Sequence, residues 1–302
     1  MRLLVHDSVS PVFAPALLVD YLTSEGVDAT TDCHPTDADG VVAFAHDDAL
    51  LDAPWVHAIT AGYDDYPVEE YHEAGLTFTN STGIHGTSVG ESVVGHCLTF
   101  ARRLHRYRDR QHDRQWEHEP YEAAFTLSGE RACVVGLGTL GQGVAVRLDA
   151  LGMDVVGVRR TPALVPGVSE VVTPDDLHDA VSDARFVVLT VPLTDETTGL
   201  VDAGVFATMR EDAYLVNVAR GEVVDQDALV TALESGAIAG AALDALDPEP
   251  LPAESPLWGF EEVLITPHCA ALTNDYHEAV GDLVVTNARR IGRGADPVNR
   301  VV

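Results

Sequence analysis

Short apolar runs punctuate this chain, and most of them stop at a glycine, a proline or a small polar residue. "ACVVGLG", from residue 132, enters a glycine-rich turn, and "TLGQGVAVRLDALG" follows with Val144, Leu148 and Leu151 at helical spacing. "MDVVGV", "ARFVVLTVP", "AYLVNVA", "IAGAALDAL" and "EVLITPH" repeat the apolar run, and "DAGVFATM" and "DQDALVTALESG" lie between them with helical periodicity. The N-terminal third does the same on a smaller scale: "RLLVH", "GVVAFA" and "WVHAIT" read as buried strands, and "PALLVDYLTSEG" as a helix with a glycine stop. Runs that are continuously apolar, not alternating, suit strands covered on both faces, which predicts an α/β protein built on parallel sheets. Two longer helical patterns, about 87–109 and about 273–294, stand outside these units. They predict two domains, residues 1–100 plus 271–302 and residues 101–270, joined by the long helices with a cleft between them.

Composition sharpens this picture. Hydrophobic residues make up 46% of the 302, ordinary for a globular chain, so disorder is not the expectation. No apolar run approaches the roughly 20 residues of a membrane span. The start, broken by His6, Asp7, Pro11 and Pro15, lacks the shape of a signal peptide, so a soluble, cytoplasmic protein is expected. Cys33, Cys97, Cys133 and Cys269 show no metal-ligand spacing and sit among apolar neighbours, which suits buried free thiols; no metal site is expected. Forty-eight acids face 18 bases, the formal net charge is −30, and every base is an arginine. Such a field repels nucleic acid and anionic membrane. The dispersed acidity without lysine resembles proteins of salt-accumulating halophiles, in which molar salt screens the self-repulsion. Six arginines gather in "ARRLHRYRDRQHDR"; against the negative field, a solvated helix face or a subunit contact with Trp116 is expected there in preference to nucleic acid.

The glycine-rich turn carries the first candidate chemistry. Gly136, Gly138 and Gly141 form G-x-G-x-x-G after an apolar strand and at the opening of a helix, the context that makes this motif a dinucleotide phosphate loop. Gly136 permits the turn, Gly138 lets a pyrophosphate approach the backbone, and Gly141 allows close packing, with the helix N-terminus facing the phosphates. At the end of the next strand an NAD-binding chain places an acid for the ribose 2′-hydroxyl. Here stand Arg159, Arg160 and Thr161, groups suited to a 2′-phosphate and hence to NADP; a pair of surface arginines is the bland alternative.

Taken together, the phosphate loop, "VPLTDETTGLV", "NVARGEVVD", "ALDALDPEPLP" and "ITPHCA", in this order, resemble the D-isomer-specific 2-hydroxyacid dehydrogenases. "TNSTGIHGTSVGESVVGHCL" and "GADPVNRVV" extend the resemblance over nearly the whole chain. It implies two doubly wound Rossmann-like domains with the active site in the interdomain cleft, a flavodoxin-like substrate domain, a dinucleotide domain, and a homodimer. It also implies a catalytic set of Arg220, Glu249 and His268, and substrate-binding amides at Ala61 and Gly62 in "TAGYDD". Cofactor contacts are implied at Thr139 and Leu140, at Val191, Pro192 and Thr197, at Val218 and Ala219, and at Asp244. Three positions depart from the pattern: Arg159 replaces the NAD-type acid, Ala270 stands where many relatives have glycine, and Tyr63 joins the substrate loop where small apolar residues are common. His85 is a further candidate for a substrate contact.

The chemistry of the three side chains fits the reduction of a 2-keto acid. That reaction needs a hydride at C2 and a proton on the carbonyl oxygen. A histidine titrating near neutrality can give that proton, a carboxylate beside it favours the imidazolium, and an arginine fork can hold the substrate carboxylate and carbonyl. The expected activity is therefore NAD(P)-dependent, NADPH-preferring reduction of small 2-keto acids to D-2-hydroxy acids. Glyoxylate or hydroxypyruvate reductase and phosphoglycerate dehydrogenase are alternatives within the family, and a dinucleotide-sensing corepressor is the alternative outside enzymes.

Overall fold

The computed structural model describes residues 1–302 and divides them into two compact units, Met1–His85 with Leu272–Val302, and Gly86–Ala271. The first unit is a five-stranded parallel sheet of β1 (Arg2–Val5), β2 (Asp28–Thr30), β3 (Gly40–Ala43), β4 (Trp55–Ala58) and β5 (Thr77–Asn80), in the order β2-β1-β3-β4-β5. Helices α1 (Pro15–Ser24) and α2 (Val68–Ala74) cross between its strands, and the C-terminal helix Tyr276–Ile291 packs on α1. This is the flavodoxin-like strand order.

The second unit opens with α3 (Gly86–Ala101) and α4 (Leu104–His112) and contains a seven-stranded parallel sheet. Its elements are β6 (Arg131–Val135), α5 (Thr139–Ala150), β7 (Asp154–Val158), β8 (Glu170–Val172), α6 (Leu177–Ser182), β9 (Phe186–Leu189), α7 (Ala203–Thr208), β10 (Tyr214–Asn217), α8 (Gln226–Ser235), β11 (Gly240–Leu243) and β12 (Val263–Ile265). The order β12-β11-β10-β9-β6-β7-β8 reverses direction between β9 and β6, which is the doubly wound arrangement and puts its switch point beside the phosphate loop. Successive residues of one strand feed opposite cores. Cys133 and Val135 join Val187 and Leu215 on one face, while Ala132 and Val134 join Val188 and Val216 on the other. Both faces are apolar, so the runs read as continuous. No helix is long and apolar enough to cross a membrane.

Two expectations are corrected. Residues 86–100 belong to the second unit, so the boundary lies at 85/86 and not near 100. The reason is a close helix contact: a Cβ on Gly143 of α5 would lie 2.0 Å from the carbonyl oxygen of Gly86, so only glycine lets α3 and α5 approach. The single helix read over 87–109 is also broken. Arg103 adopts a left-handed backbone, φ +56°, and its guanidinium donates to both oxygens of Glu262, at 3.0 and 2.7 Å, ending one helix and starting another. Three of the six clustered arginines form ion pairs inside this unit: Arg106 pairs with Glu261, and Arg103 and Arg110 share Glu119. Burial pushes the Glu262 carboxyl up, but hydrogen bonds from His105 and Arg103 outweigh it and hold it down at about 2.

The thiols split. Cys97 and Cys133 are fully buried, and burial pushes both up, whereas Cys33 and Cys269 are only partly covered; all four are free.

Candidate active site

Three neighbouring parallel strands of the second unit, β10, β11 and β12, end at the same edge of the sheet. Arg220 lies three residues past the end of β10, Glu249 six past β11, and His268 three past β12. Loops at the carboxyl ends of parallel strands are where such sheets bind ligands, and the strand order alone brings these three loops together.

His268 sits at φ +49°, a conformation rare for a residue with a side chain, so something must hold it. Its N–H donates to the carbonyls of Asp244 (2.9 Å) and Thr266 (3.0 Å). The Asp244 carboxylate, 3% exposed, accepts from Thr266 Oγ1 at 2.6 Å, from the Cys269 N–H at 2.9 Å and from the Ala270 N–H at 3.0 Å. One buried carboxylate thus grips the chain on both sides of His268. Sequence reasoning assigned Asp244 to the cofactor and missed this grip; the signal available was an acid ending an apolar strand, whose charge must find donors once buried. Ala270, the departure after the histidine, is itself buried and uses its N–H in this clasp.

His268 Nδ1 faces Glu249 Oε2 at 2.9 Å, and Glu249 Oε1 accepts from the Leu246 N–H at 3.0 Å. An ionised carboxylate only accepts, so Nδ1 carries the proton and Nε2 is the atom left for exchange. The hydrogen bond to Glu249 raises the His268 pKa above its ordinary value, against burial and the Arg220 charge, which lower it. Burial raises that of Glu249, but the hydrogen bonds from His268 and Leu246 and the charges of His268 and Arg220 lower it further, so the net shift is downward. Arg220 therefore acts electrostatically on both partners. Its own guanidinium donates to the Ala219 carbonyl at 2.7 Å.

The phosphate loop lies at the switch point. Gly136 has φ +96°, and a Cβ on Gly141 would fall 1.9 Å from the Gly136 carbonyl oxygen, so the turn closes only over glycine. Gly138 caps α5 without a side-chain hydrogen bond, and the space where its Cβ would point is open, as the approach of an anion to a helix N-terminus requires. Thr190, 7% exposed, donates to the Gly136 carbonyl at 2.7 Å and locks the turn; the sequence reading passed over it. Val191 lies against the same turn, and Thr197 Oγ1 donates to the Pro192 carbonyl at 2.7 Å, shaping the following loop. Val218 and Ala219 are buried beside Arg220. Arg159, Arg160 and Thr161 follow β7 directly, and Arg160 makes an exposed pair with Glu196 at 3.6 Å.

In the first unit, the loop after β4 carries Ala61, Gly62 and Tyr63. Asn80 Nδ2 donates to the Ala61 carbonyl and Thr60 Oγ1 to the Gly62 carbonyl, each at 2.7 Å, which fixes both peptide units. Tyr63 is 40% exposed. His85 is buried in this unit: its Nε2–H donates to the Tyr276 hydroxyl at 2.8 Å, that hydroxyl donates to the Ile59 carbonyl, and burial lowers the His85 pKa to about 4.

Comparison with known proteins agrees with this fold. Residues 94–270 match the family described as D-isomer specific 2-hydroxyacid dehydrogenase, NAD binding domain. A D-3-phosphoglycerate dehydrogenase of Methanocaldococcus jannaschii is 33% identical over 77% of this chain, a match that spans only 44% of that protein. A glyoxylate reductase of Thermofilum pendens is 31% identical over 83% of this chain and 75% of its own. A D-isomer specific 2-hydroxyacid dehydrogenase from Xanthobacter autotrophicus Py2, solved with NADPH and MES, superimposes with a TM-score of 0.83 at 30% identity, covering 99% of this chain and 97% of the other. A match over more than half the chain, a relative covered over three quarters of its length and two doubly wound sheets leave one assignment: this oxidoreductase chain belongs to the D-isomer specific 2-hydroxyacid dehydrogenase family.

Proposed function

We propose that this protein reduces small 2-keto acids to D-2-hydroxy acids with a nicotinamide dinucleotide, NADPH in preference to NADH. The observation that carries the reading is the 2.9 Å His268–Glu249 pair, formed at the same sheet edge as the loop bearing Arg220. The residues fit the cofactor: an uncapped helix N-terminus and an open Gly138 suit a pyrophosphate, and Arg159 and Arg160, directly after β7, are the cationic groups proposed for a 2′-phosphate. When bound, the dinucleotide supplies the hydride. Arg220 binds and orients the keto acid by its carboxylate and carbonyl, drawing electron density towards the oxygen. His268 Nε2–H gives that oxygen its proton, and Glu249 keeps the ring charged and oriented for the transfer. Within the second unit, Val191, Pro192, Thr197, Val218, Ala219 and Asp244 are the groups proposed for the dinucleotide; in the first unit, the amides of Ala61 and Gly62 and the Tyr63 side chain are the substrate contacts that the family resemblance implies.

We further infer a homodimer formed through the arginine-rich α4 and the segment bearing Trp116, whose side chain is 96% exposed, and a cytoplasm rich in salt as the working environment. A steady-state panel of glyoxylate, hydroxypyruvate, pyruvate and phosphohydroxypyruvate, with NADPH and NADH in several molar KCl, tests the function. Turnover of none of them would sink it. Preference for the phosphorylated acid would move the assignment to phosphoglycerate dehydrogenase.

A further inference from the structure

We infer that Asn217 is the positioning residue for Arg220, an assignment that rests on the role given to Arg220 above. Asn217 is the last residue of β10 and is 1% exposed. Its Nδ2 donates to the carbonyl of Arg220 at 2.9 Å and to that of Ala245 at 3.2 Å, and its Oδ1 accepts from the Ala219 N–H at 3.0 Å. One side-chain amide therefore fastens the backbone on both sides of the Ala219–Arg220 peptide. It also ties that peptide to the loop after β11, whose next amide, Leu246 N–H, holds Glu249. The backbone that carries the guanidinium and the backbone that carries the carboxylate are registered by the same buried group. A fork of donors gains specificity only when its base is held, because small misplacements of a binding group cost large factors in rate. Aspartate is nearly isosteric but would face the Arg220 and Ala245 carbonyls with acceptors in place of donors, while keeping the acceptor for Ala219.

The test uses Asn217→Asp and Asn217→Ala in the full chain, with four readouts: kcat/KM for glyoxylate, the Kd of oxamate (a 2-keto acid analogue that is not reduced) on the NADPH-loaded protein, the Kd of NADPH alone, and amide exchange followed by peptide. For both variants we expect oxamate to weaken by about 10-fold or more and kcat/KM to fall at least as far, the scale set by loss of orientation. NADPH affinity should fall by a smaller factor than oxamate affinity, because Val218 and Ala219 are only two of the groups proposed to line the dinucleotide, and its pyrophosphate is held at the glycine-rich loop after β6. Exchange should quicken in the peptide spanning 218–222 and not across β6 or β9. Equal losses of oxamate and NADPH affinity with exchange raised throughout the unit would make Asn217 a general structural residue and overturn the assignment. Unchanged oxamate binding would overturn it as well. If the wild-type protein reduces no keto acid and binds no oxamate, the proposed function has failed while this assignment is still decided by exchange: unaltered protection at 218–222 refutes it. The aspartate variant keeps the test open if the alanine variant does not fold.

Discussion

At the residue scale the site depends on the shapes of donors as much as on charge. Lysine in place of Arg220 would keep the charge and lose the planar fork, so Arg220→Lys should cost on the order of 10²-fold in kcat/KM, the scale of removing one transition-state donor. Near-native kcat/KM would refute the role. Glu249→Gln tests the histidine. The His268 pKa is raised chiefly by its hydrogen bond to Glu249, and reduction needs the imidazolium, so activity in that direction is present below this pKa and lost as pH rises through it. Removing the carboxylate charge lowers the pKa, and the alkaline fall in keto acid reduction should move to lower pH. A profile that does not move would separate Glu249 from proton transfer. The three proposed reactive side chains stood out in the sequence as candidates because each follows an apolar run that forms a strand, and the parallel order of β10, β11 and β12 sets their loops at one sheet edge. Asp244's grip on the His268 turn was not, because hydrogen bonds from Thr266, Cys269 and Ala270 to one carboxylate depend on a left-handed backbone that no local pattern announces.

At the scale of elements, legibility followed burial. β6, β7, β9 and β10 are nearly all buried on both faces and were visible as apolar runs. β2, "DAT", and β5, "TFTN", carry polar residues and emerge only because neighbouring strands recruit them. The break between α3 and α4 is a tertiary override: Glu262, far away in sequence, holds Arg103 and outcompetes continued helix. The end of β7 carries the cofactor prediction. If Arg159 and Arg160 hold the 2′-phosphate, NADPH has the lower KM, and its advantage shrinks with salt because exposed pairs are screened. Each charge-assisted hydrogen bond is worth about 1.5–3 kcal/mol, so Arg159→Asp with Arg160→Ala should swing the NADPH/NADH ratio of kcat/KM by roughly 10²-fold or more. Equal use of both dinucleotides by the wild type, with a ratio the variants leave alone, would show that the arginines merely face solvent.

At the scale of the whole molecule, the net charge of −30 predicts how stability responds to salt. Were all 18 arginines paired, 48 − 18 = 30 acids would still have no cationic partner, and on the expectation that this protein works in high salt, their self-repulsion outweighs the support of its ion pairs at low salt. Salt weakens both contributions, but the repulsive one is larger and acts over longer distances; the Debye length falls from about 10 Å at 0.1 M to about 3 Å at 1 M. The partly buried pairs of Arg103 with Glu262 and Glu119 are screened least, so salt removes repulsion faster than it removes these contacts. The melting temperature should therefore climb with KCl between 0.1 M and several molar. Each kcal/mol recovered is worth about 2–4 °C for a domain of the second unit's size, so a gain of a few kcal/mol appears as a rise on the order of 10 °C. Salt also strengthens apolar burial, which would raise stability without any charge effect. The control is a variant with ten exposed acids replaced by their amides: if screening is the cause, its melting temperature at low salt is higher than the wild type's and its slope with KCl is shallower. A wild-type curve flat in KCl, or a variant with the same slope as the wild type, would remove self-repulsion as the determinant of stability.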